Sequence, residues 1–349
     1  MTFLRRFVGW LGSALLFTSL GFLFFGQAPY VIDEPGPVFN VLGETGGKPV
    51  IKIHDAKTYP VSGELDALTV QQVGEPGNQP SWFQVWLAQN DPARSVVPLE
   101  VAYPPGVKSS QVYAEDAAMM LASQQDAQAA AMNYLGIDYT ARVYVISMMT
   151  DSAATGIIKP GDYIDSINGF SVADSDLLRK KVQAWDEKAP IKVGVTRKGV
   201  SRVVEVTPSK VDGKFYIGVY VGYKYEFPFK IDVDLGDVGG PSAGTMFAIG
   251  MIDKLTPGQL LGKNHVAGTG TIEPSGEVGP IGGIVQKMYA ARDAGATVFL
   301  APSENCSETV GKVPSGLKVY RISKLNTAVD LLTALQSGGK LTGFATCDK

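Results

Sequence analysis

Two glycine-rich runs, each followed by an apolar repeat, constrain this chain more than any other feature. The first run covers residues 239–244 and contains Ser242, and the second covers residues 282–287 and ends at Lys287. Glycine turns followed by a 3.6-residue apolar repeat predict the start of a helix, so both side chains are expected at helix starts. A serine nucleophile needs a base, and a lysine stripped of water can act as one. If the two side chains meet, the chain is a serine hydrolase that works without histidine.

The composition excludes several classes of protein. The 349 residues allow two or three domains, and a hydrophobic content of 45% is enough for sizeable cores. The formal net charge is −3, without a basic stripe or a nucleic-acid-binding signature, so we expect no nucleic-acid partner. The chain has 2 histidines and 2 cysteines and no Cys/His cluster. We therefore expect neither a metal site nor a cofactor.

The N-terminal region predicts a transmembrane helix. Arg5 and Arg6 precede an uncharged run at residues 7–26, which is long enough for the roughly 30 Å hydrocarbon core of a membrane. The charges on either side place residues 1–6 in the cytoplasm and the remainder outside, as a single-pass protein of the cell membrane. A cleaved signal peptide is the alternative, since residues 26–28 weakly resemble a cleavage site.

The cysteines are expected to pair. Cys306 and Cys347 are the only two in the chain. In an oxidising exterior a disulfide between them would fix the C-terminal tail. Two unpaired thiols are the alternative.

The segment after the predicted membrane helix changes character near residue 109. Residues 27–108 alternate apolar and polar positions between Gly and Pro turns, which predicts a β-rich segment. Residues 109–136 are rich in Ala, Gln and Met, with no Gly or Pro before Gly136. They predict a helical segment that packs against a neighbouring domain.

Residues 137–210 return to short strands. They contain a Ser-Ala-Ala segment at 152–154, a glycine-rich core at 156–164 and an Ile-Asn-Gly hairpin turn at 167–169. On these motifs the region resembles a PDZ domain of the bacterial protease type. The resemblance implies that an extended peptide pairs with an edge of its sheet. The alternative is a PDZ domain that only packs or gates and binds no peptide.

Strand and helix patterns alternate through residues 211–340, which predicts an α/β domain. The expected helices and strands are helices at 243–254, 284–294 and 325–335, and strands at 297–300 and 319–322.

Histidine is the other candidate base for Ser242. Residues 240–244 match the G-x-S-x-G elbow of α/β-hydrolases, which place a histidine late in the chain. Here the last histidine is His265, and Pro241 before the serine fits such an elbow poorly. A lone histidine at the start of a strand is more often structural than catalytic, so His265 is the weaker candidate for the base.

Lys287 has the apolar surroundings that a basic lysine needs. Ile284, Ala290 and Ala291 share its face of the predicted helix, and burial of that face would lower the pKa of the amine. A lysine whose head reaches water is the alternative. Lys263, by contrast, lies in a polar loop and is expected to be solvated.

Residues 230–335 resemble the proteolytic domain of Lon proteases. The matching motifs, in order and spacing, are Gly-Pro-Ser-Ala-Gly at 240–244, Val-Ala-Gly-Thr-Gly at 266–270, Gly-Glu-Val-Gly-Pro-Ile-Gly-Gly at 276–283, Lys287, Ala290, Ala291 and Ala294-Gly295. The resemblance implies that Ser242 is the nucleophile, that Lys287 is the base and that Thr269 orients the lysine. It also implies that Gly240 and Pro241 support the serine, which forms an acyl-enzyme that water releases.

The chain departs from the Lon pattern in two places. Lon proteases usually carry an acidic residue where this chain has Gly239, and Asp237 is the nearest substitute. No ATPase is recognised, because the run at 258–264 is one residue short of a phosphate-binding loop and has Asn where Ser or Thr is required. The combination resembles the membrane-bound, ATP-independent Lon-like PDZ proteases of Gram-positive bacteria.

The expected fold is α+β and multi-domain. The predicted boundaries are a cytoplasmic N-terminus at 1–6, a transmembrane helix at 7–26, a β-rich extracytoplasmic segment at 27–108, a helical segment at 109–136, a PDZ domain at 137–210, a Lon-type α/β proteolytic domain at 211–340 and a C-terminal tail at 341–349.

The expected function is that of a membrane-anchored, extracytoplasmic serine endopeptidase that needs no ATP and cleaves unfolded or flexible substrates. Its partners would be protein or peptide substrates, the membrane and, by analogy with Lon, other copies of the chain. An inactive adaptor that binds protein termini and an esterase with the same two residues are the alternatives.

Overall fold

A computed structural model describes residues 2–172 and 175–347. The chain forms two compact units. Unit 1 combines Met1–Ile137 with Phe229–Lys349, and unit 2 is Asp138–Pro228. Unit 1 is therefore discontinuous in sequence, and unit 2 is inserted into it.

The helices and strands alternate through both units. The first part of unit 1 contains α1 (Thr2–Phe25), β1 (Tyr30–Asn40), β2 (Glu44–Thr45), β3 (Lys48–Pro49), β4 (Ile51–Ile53), β5 (Glu64–Val73), α2 (Trp82–Gln89), β6 (Ser95–Pro98), α3 (Leu99–Ala102) and α4 (Ser109–Leu135). Unit 2 contains β7 (Thr140–Met148), β8 (Tyr163–Ile167), β9 (Phe170–Ser171), α5 (Ser175–Gln183), β10 (Ile191–Arg197), β11 (Val200–Val206), β12 (Ser209–Val211), β13 (Lys214–Tyr216) and β14 (Val219–Glu226). The second part of unit 1 contains β15 (Ile231–Val233), α6 (Gly244–Leu255), β16 (His265–Gly268), β17 (Thr271–Ile272), β18 (Val278–Gly279), α7 (Ile284–Asp293), β19 (Val298–Pro302), α8 (Cys306–Thr309), β20 (Lys318–Ile322) and α9 (Leu325–Gln336), with 3-10 turns at Ser303–Asn305 and Leu341–Gly343.

The main sheet of unit 1 has the strand order β20-β19-β16-β5-β1-β6. Strands β20, β19, β16 and β5 run parallel, and β1 pairs antiparallel with β5 and β6. Because side chains alternate along a strand, Val266 of β16 packs in one core and its neighbour Ala267 in another. The first core contains Phe247 of α6, and the second contains Met288 of α7. Helices therefore cover both faces of the sheet.

Three strands of the predicted β-rich segment, β1, β5 and β6, belong to this same sheet. The sequence boundaries place 27–108 and 211–340 in separate domains, whereas β5 from the first range pairs directly with β16 from the second. Leu65 and Leu68 of β5 are buried, in the two different cores. A strand whose two faces are both buried needs packing elements over each face. For β5 these are elements of the two cores, which include α6 and α7 from a distant part of the chain.

Unit 2 is built on a second sheet, of strand order β11-β10-β8-β7-β14, with β9 beside β8. Its apolar core includes Ile164 and Val193. The sequence boundary at residue 210 differs from the structure, because β14 pairs with β7 along almost its whole length. That long pairing keeps the residues up to Pro228 in unit 2.

The prediction of a transmembrane helix at residues 7–26 is wrong. A spanning helix needs about 20 predominantly apolar residues, and no helix in the described ranges is long and apolar enough to cross a membrane. The run contains polar and small residues, such as Ser13, Thr18 and Gly21, among its apolar ones. The expected location as a single-pass membrane protein with its catalytic part outside is wrong for the same reason. Met1 of the predicted cytoplasmic end and residues 348–349 of the predicted tail lie outside the described residues.

The cysteines lie close in space at the C-terminal end of unit 1. Cys306 and Cys347 form a disulfide with a Cα–Cα distance of 4.9 Å and a sequence separation of 41. The tail also pairs with β20, because the backbone N–H of Arg321 donates to Ala345 and that of Cys347 donates to Val319. The bond therefore closes a loop around β20 and ties the C-terminal segment to the edge of the sheet.

Loss of the disulfide should destabilise unit 1. For a loop of this length we expect the Cys306→Ala/Cys347→Ala variant to unfold with about 4 kcal/mol less free energy than the oxidised protein. Guanidinium unfolding of the two proteins measures the difference. The wild-type protein in reducing agent is the matched control and should unfold like the variant. Two free thiols in the untreated protein, or equal unfolding curves, would contradict the pairing.

Candidate active site

The structure brings Ser242 and Lys287 together. The Lys287 Nζ donates a hydrogen bond to the Ser242 Oγ at 2.9 Å, across 45 residues of sequence. Ser242 precedes α6, whose N-cap is Ala243, and Lys287 lies in the first turn of α7. The two helices contribute to the two different cores of the main sheet. The side chains of Ser242 and Lys287 meet at the place where both helices begin.

Lys287 is almost completely buried. Its side chain is 3% exposed, and it forms no ion pair with any described residue. Burial lowers the pKa of the Lys287 amine from 10.5 to about 8, because a charged group loses its hydration in an apolar setting. At pH 7 about a tenth of such amines are neutral, compared with less than a thousandth for an ordinary lysine. The amine can therefore accept a proton near neutral pH.

Thr269 links the amine to the serine backbone. It follows β16 directly and is fully buried. The Lys287 Nζ donates to its Oγ1 at 3.2 Å, and the Thr269 Oγ1 donates to the carbonyl oxygen of Ser242 at 3.0 Å. The hydroxyl thus has a donor and an acceptor that together fix its rotamer, and it holds the amine beside the serine.

The backbone around Ser242 presents N–H groups to the same place. Gly240 has a φ of +83°, a conformation that favours glycine, and the chain turns there before Pro241. Within the described ranges, the backbone N–H groups of Ser242 and Ala243 have no hydrogen-bond acceptor. Free N–H groups at the start of a helix attract negative charge, as an oxyanion would carry.

A cleft of about 1070 Å³ opens at Ser242. Its lining comes from unit 1, chiefly from β5 at 67–72, α4 at 112–120, the loop at 235–243 and the start of α7 at 282–287, together with Asp33, Pro37 and Tyr103. On one side of β5, β16 pairs only with residues 64–67. Beyond residue 67, that edge of β5 has no strand beside it among the described residues, and it borders the cleft.

Sequence reasoning missed the contribution of α4 to this cleft. Tyr113 and Asp116 of α4 line it together with Ser242 and Lys287. Burial raises the pKa of the Asp116 carboxyl. The composition of the helix indicated only that it packs against a neighbouring domain. A contact between residues more than a hundred positions apart leaves no local pattern in the sequence.

His265 lies away from Ser242. It is the first residue of β16, and its Nε2 is 2.5 Å from the Oδ2 of Asp66 and 3.5 Å from Glu64. Burial raises the pKa of the Asp66 carboxyl, although the hydrogen bond to His265 acts in the opposite direction. These three side chains are near enough to share a metal ion, but the direct contact between imidazole and carboxylate satisfies both groups without one. His265 does not reach the serine as a base.

Part of unit 1 matches a known protease family. Residues 230–335 match the Lon protease (S16) C-terminal proteolytic domain. Among curated proteins, the chain is 28% identical over 166 residues to Lon protease 2 of Bacillus subtilis, covering 47% of this chain and 27% of that protein. It is 28% identical over 144 residues to the Lon protease of Campylobacter concisus, covering 41% of this chain and 18% of that protein. The chain thus spans about a quarter or less of the length of these relatives. The matches confirm the predicted enzyme class, serine peptidase, at the level of the matched domain.

Solved structures of PDZ domains are also similar to part of the chain. The PDZ domain of an SdrC-like protein from Listeria monocytogenes is 21% identical, with a TM-score of 0.21, covering 23% of this chain and 85% of that one. The corresponding domain from Listeria innocua is 23% identical, with a TM-score of 0.22, covering 23% of this chain and 92% of that one.

The burial of Lys287 predicts how stability depends on pH. Because its folded pKa is lowered, the unfolded state binds more protons between pH 8 and 10.5, so stability should rise with pH across that window. We expect Lys287→Met to abolish this rise and to raise the free energy of unfolding at pH 7 by up to about 3 kcal/mol. Guanidinium unfolding at several pH values measures both effects.

Lys263→Met provides the matched control, since Lys263 is exposed. It should leave the free energy of unfolding and its pH dependence close to those of the wild-type protein. A wild-type curve that stays flat between pH 8 and 10.5, together with a destabilised Lys287→Met protein, would show that the amine is not buried as described.

Proposed function

We propose that the chain is a serine endopeptidase that uses Ser242 as nucleophile and Lys287 as general base. It cleaves unfolded or flexible protein segments without ATP, and unit 2 acts as a PDZ domain that binds or gates substrate. The observation that carries the proposal is the 2.9 Å contact between the Ser242 Oγ and an amine that is 3% exposed. A homo-oligomer, expected from the resemblance to Lon, belongs to the same proposal.

The chemistry follows from the positions of the donors and acceptors. The neutral amine of Lys287 removes the proton from the Ser242 hydroxyl as the oxygen attacks a peptide carbonyl. The N–H groups of Ser242 and Ala243 stabilise the negative charge that forms on the carbonyl oxygen. The protonated amine then donates its proton to the leaving nitrogen. Water hydrolyses the acyl-enzyme by the same steps in reverse order, with Lys287 again as the base.

The open edge of β5 supports an extended substrate. A peptide lying in the cleft beside residues 68–72 would find backbone N–H and C=O groups that no neighbouring strand uses. Pairing with a sheet edge requires a segment of several residues with a free backbone. A folded protein hides most such segments, so flexible or unfolded chains would be the substrates.

The rival functions lack a supporting contact. An inactive adaptor does not need a desolvated lysine held against a serine, and keeping one costs stability. An esterase would use the same dyad, but the extended edge beside Ser242 suits a peptide backbone better than a small ester. The proposal therefore names the peptide bond as the reactive group.

Cleavage of an unfolded protein tests the dyad. We expect the full chain to degrade a reduced, alkylated protein in buffer without nucleotide, and Ser242→Ala and Lys287→Ala to lose at least about 10³-fold in kcat/KM. Because the base must be neutral, kcat/KM of the native enzyme should rise with pH and level off above about 8, the pKa of Lys287.

Lys263→Ala is the control for loss of a lysine, and it should cleave at the native rate. Turnover of a simple ester is measured beside that of the peptide. Ester turnover alone would support the esterase, and equal proteolysis by native, Ser242→Ala and Lys287→Ala proteins would refute the dyad.

Thr269 is expected to orient the amine. Thr269→Val keeps the shape of the side chain but removes the hydroxyl that contacts both Lys287 and the carbonyl of Ser242. We expect kcat to fall by about 10- to 100-fold with little change in KM. Thr269→Ser keeps the hydroxyl and should retain most of the activity. If the valine and serine variants were equally active, the hydroxyl would have no such role.

A further inference from the structure

Helix α4 contacts the loop that carries the nucleophile at two points. We call residues 239–244 the nucleophile loop. The backbone N–H of Gly240 donates to the carbonyl oxygen of Asp116 at 2.8 Å. The Ser123 Oγ donates to the carbonyl oxygen of Pro241 at 2.9 Å. The second bond ends on the residue that directly precedes Ser242.

The loop approaches α4 too closely for larger residues. A Cβ atom at Gly239 would lie 2.7 Å from the Cβ of Asp116, and one at Gly244 would lie 2.6 Å from the Ser123 Oγ. Real Cβ contacts are not that short, so either substitution would push the loop and the helix apart. The helix therefore fits against both ends of the loop.

Ser123 is buried on the face of α4 that meets the nucleophile loop. It is 4% exposed, and buried neighbours on the helix include Met120 and Ala127. A serine inside a helix commonly bonds to the backbone of the preceding turn. Here the Oγ donates instead to the carbonyl oxygen of Pro241 in the nucleophile loop. A buried hydroxyl is tolerated when it is hydrogen-bonded, and the hydroxyl of Ser123 donates its hydrogen bond to the nucleophile loop.

We propose that Ser123 is a positioning residue that sets the distance between the Ser242 Oγ and the Lys287 Nζ through its bond to Pro241. This inference rests on the proposed function, because it assumes that Ser242 reacts. Ser123 lies outside the segment that matches the Lon proteolytic domain, which begins at residue 230. The segment that matches the Lon domain therefore lacks one residue, Ser123, that contacts the loop carrying Ser242.

The expected effect follows from the geometry of attack. Without the Ser123 hydroxyl, the carbonyl of Pro241 loses a donor and the loop can move relative to the amine. A displacement of about 1 Å at a reacting atom lowers a rate by up to about 100-fold. Substrate binding along the edge of β5 does not involve this bond, so KM should change little.

The test compares Ser123→Ala with the native full chain in two assays. One measures kcat and KM for the unfolded protein substrate, and the other measures the rate at which a small fluorophosphonate labels Ser242. We expect kcat and the labelling rate to fall at least about 10-fold, with KM within about threefold of the native value. The pH at which labelling levels off should not move, because Lys287 keeps its surroundings.

Gln128→Leu is the matched control. Gln128 is also buried on α4, and its Nε2 donates to the carbonyl of Phe229 at 3.2 Å, away from the nucleophile loop. Both variants lose one side-chain hydrogen bond from the same helix to a backbone carbonyl. We expect Gln128→Leu to keep native labelling and kcat. Unfolding midpoints of both proteins then show whether a rate change follows from lost stability.

The outcomes separate this inference from the proposed function. Native labelling and native kcat in Ser123→Ala would overturn the positioning role and leave the dyad standing. An equal loss of rate in Gln128→Leu would also overturn it, because packing of the helix would then be the cause. A native protein that labels but cleaves no peptide would contradict the endopeptidase, while slower labelling of Ser123→Ala would still support the positioning role. A native protein that does not label would overturn both.

Discussion

The chemistry proposed for unit 1 depends on keeping one amine out of water. A lysine whose pKa is lowered from 10.5 to about 8 destabilises the folded protein at neutral pH by about 3 kcal/mol. That is a large share of the 5–15 kcal/mol by which a typical domain is stable. The cores on both sides of the main sheet offset this cost, and the hydroxyls of Ser242 and Thr269 satisfy two of the donors of the amine.

Local patterns predicted the elements around the site with good accuracy. The expected helix at 243–254 is observed as Gly244–Leu255, and the one at 284–294 as Ile284–Asp293. The apolar repeat and the glycines at the helix ends are features of residues that are close in sequence. They therefore predict where each of these helices begins and ends. The pairing of Ser242 with Lys287 did not follow from such patterns. It came from the resemblance to Lon, since nothing in the spacing of two runs says that their side chains touch.

The long-range part of the fold was not predictable in the same way. An alternating strand such as β5 shows which of its side chains face a core, but not which strand pairs with it. Its partner β16 begins at His265, about two hundred residues later. The run near the N-terminus gave an error of another kind, because a spanning helix was expected there and no helix in the described ranges is long and apolar enough to cross a membrane.

The insertion of unit 2 has a consequence for how the site is assembled. The chain leaves unit 1 after Ile137 and returns at Phe229, and the strands next to these two points, β7 and β14, pair with each other from Thr140 and Glu226 onward. An insertion is tolerated where its two ends lie close, so the sheet and the cleft survive the interruption. The helix that precedes the insertion is also the one that contacts the nucleophile loop. A protease motif copied from residues 230–335 alone would lack α4, and its serine would have no Ser123 to hold the carbonyl of Pro241. The catalytic geometry is thus a property of the discontinuous unit and not of the motif.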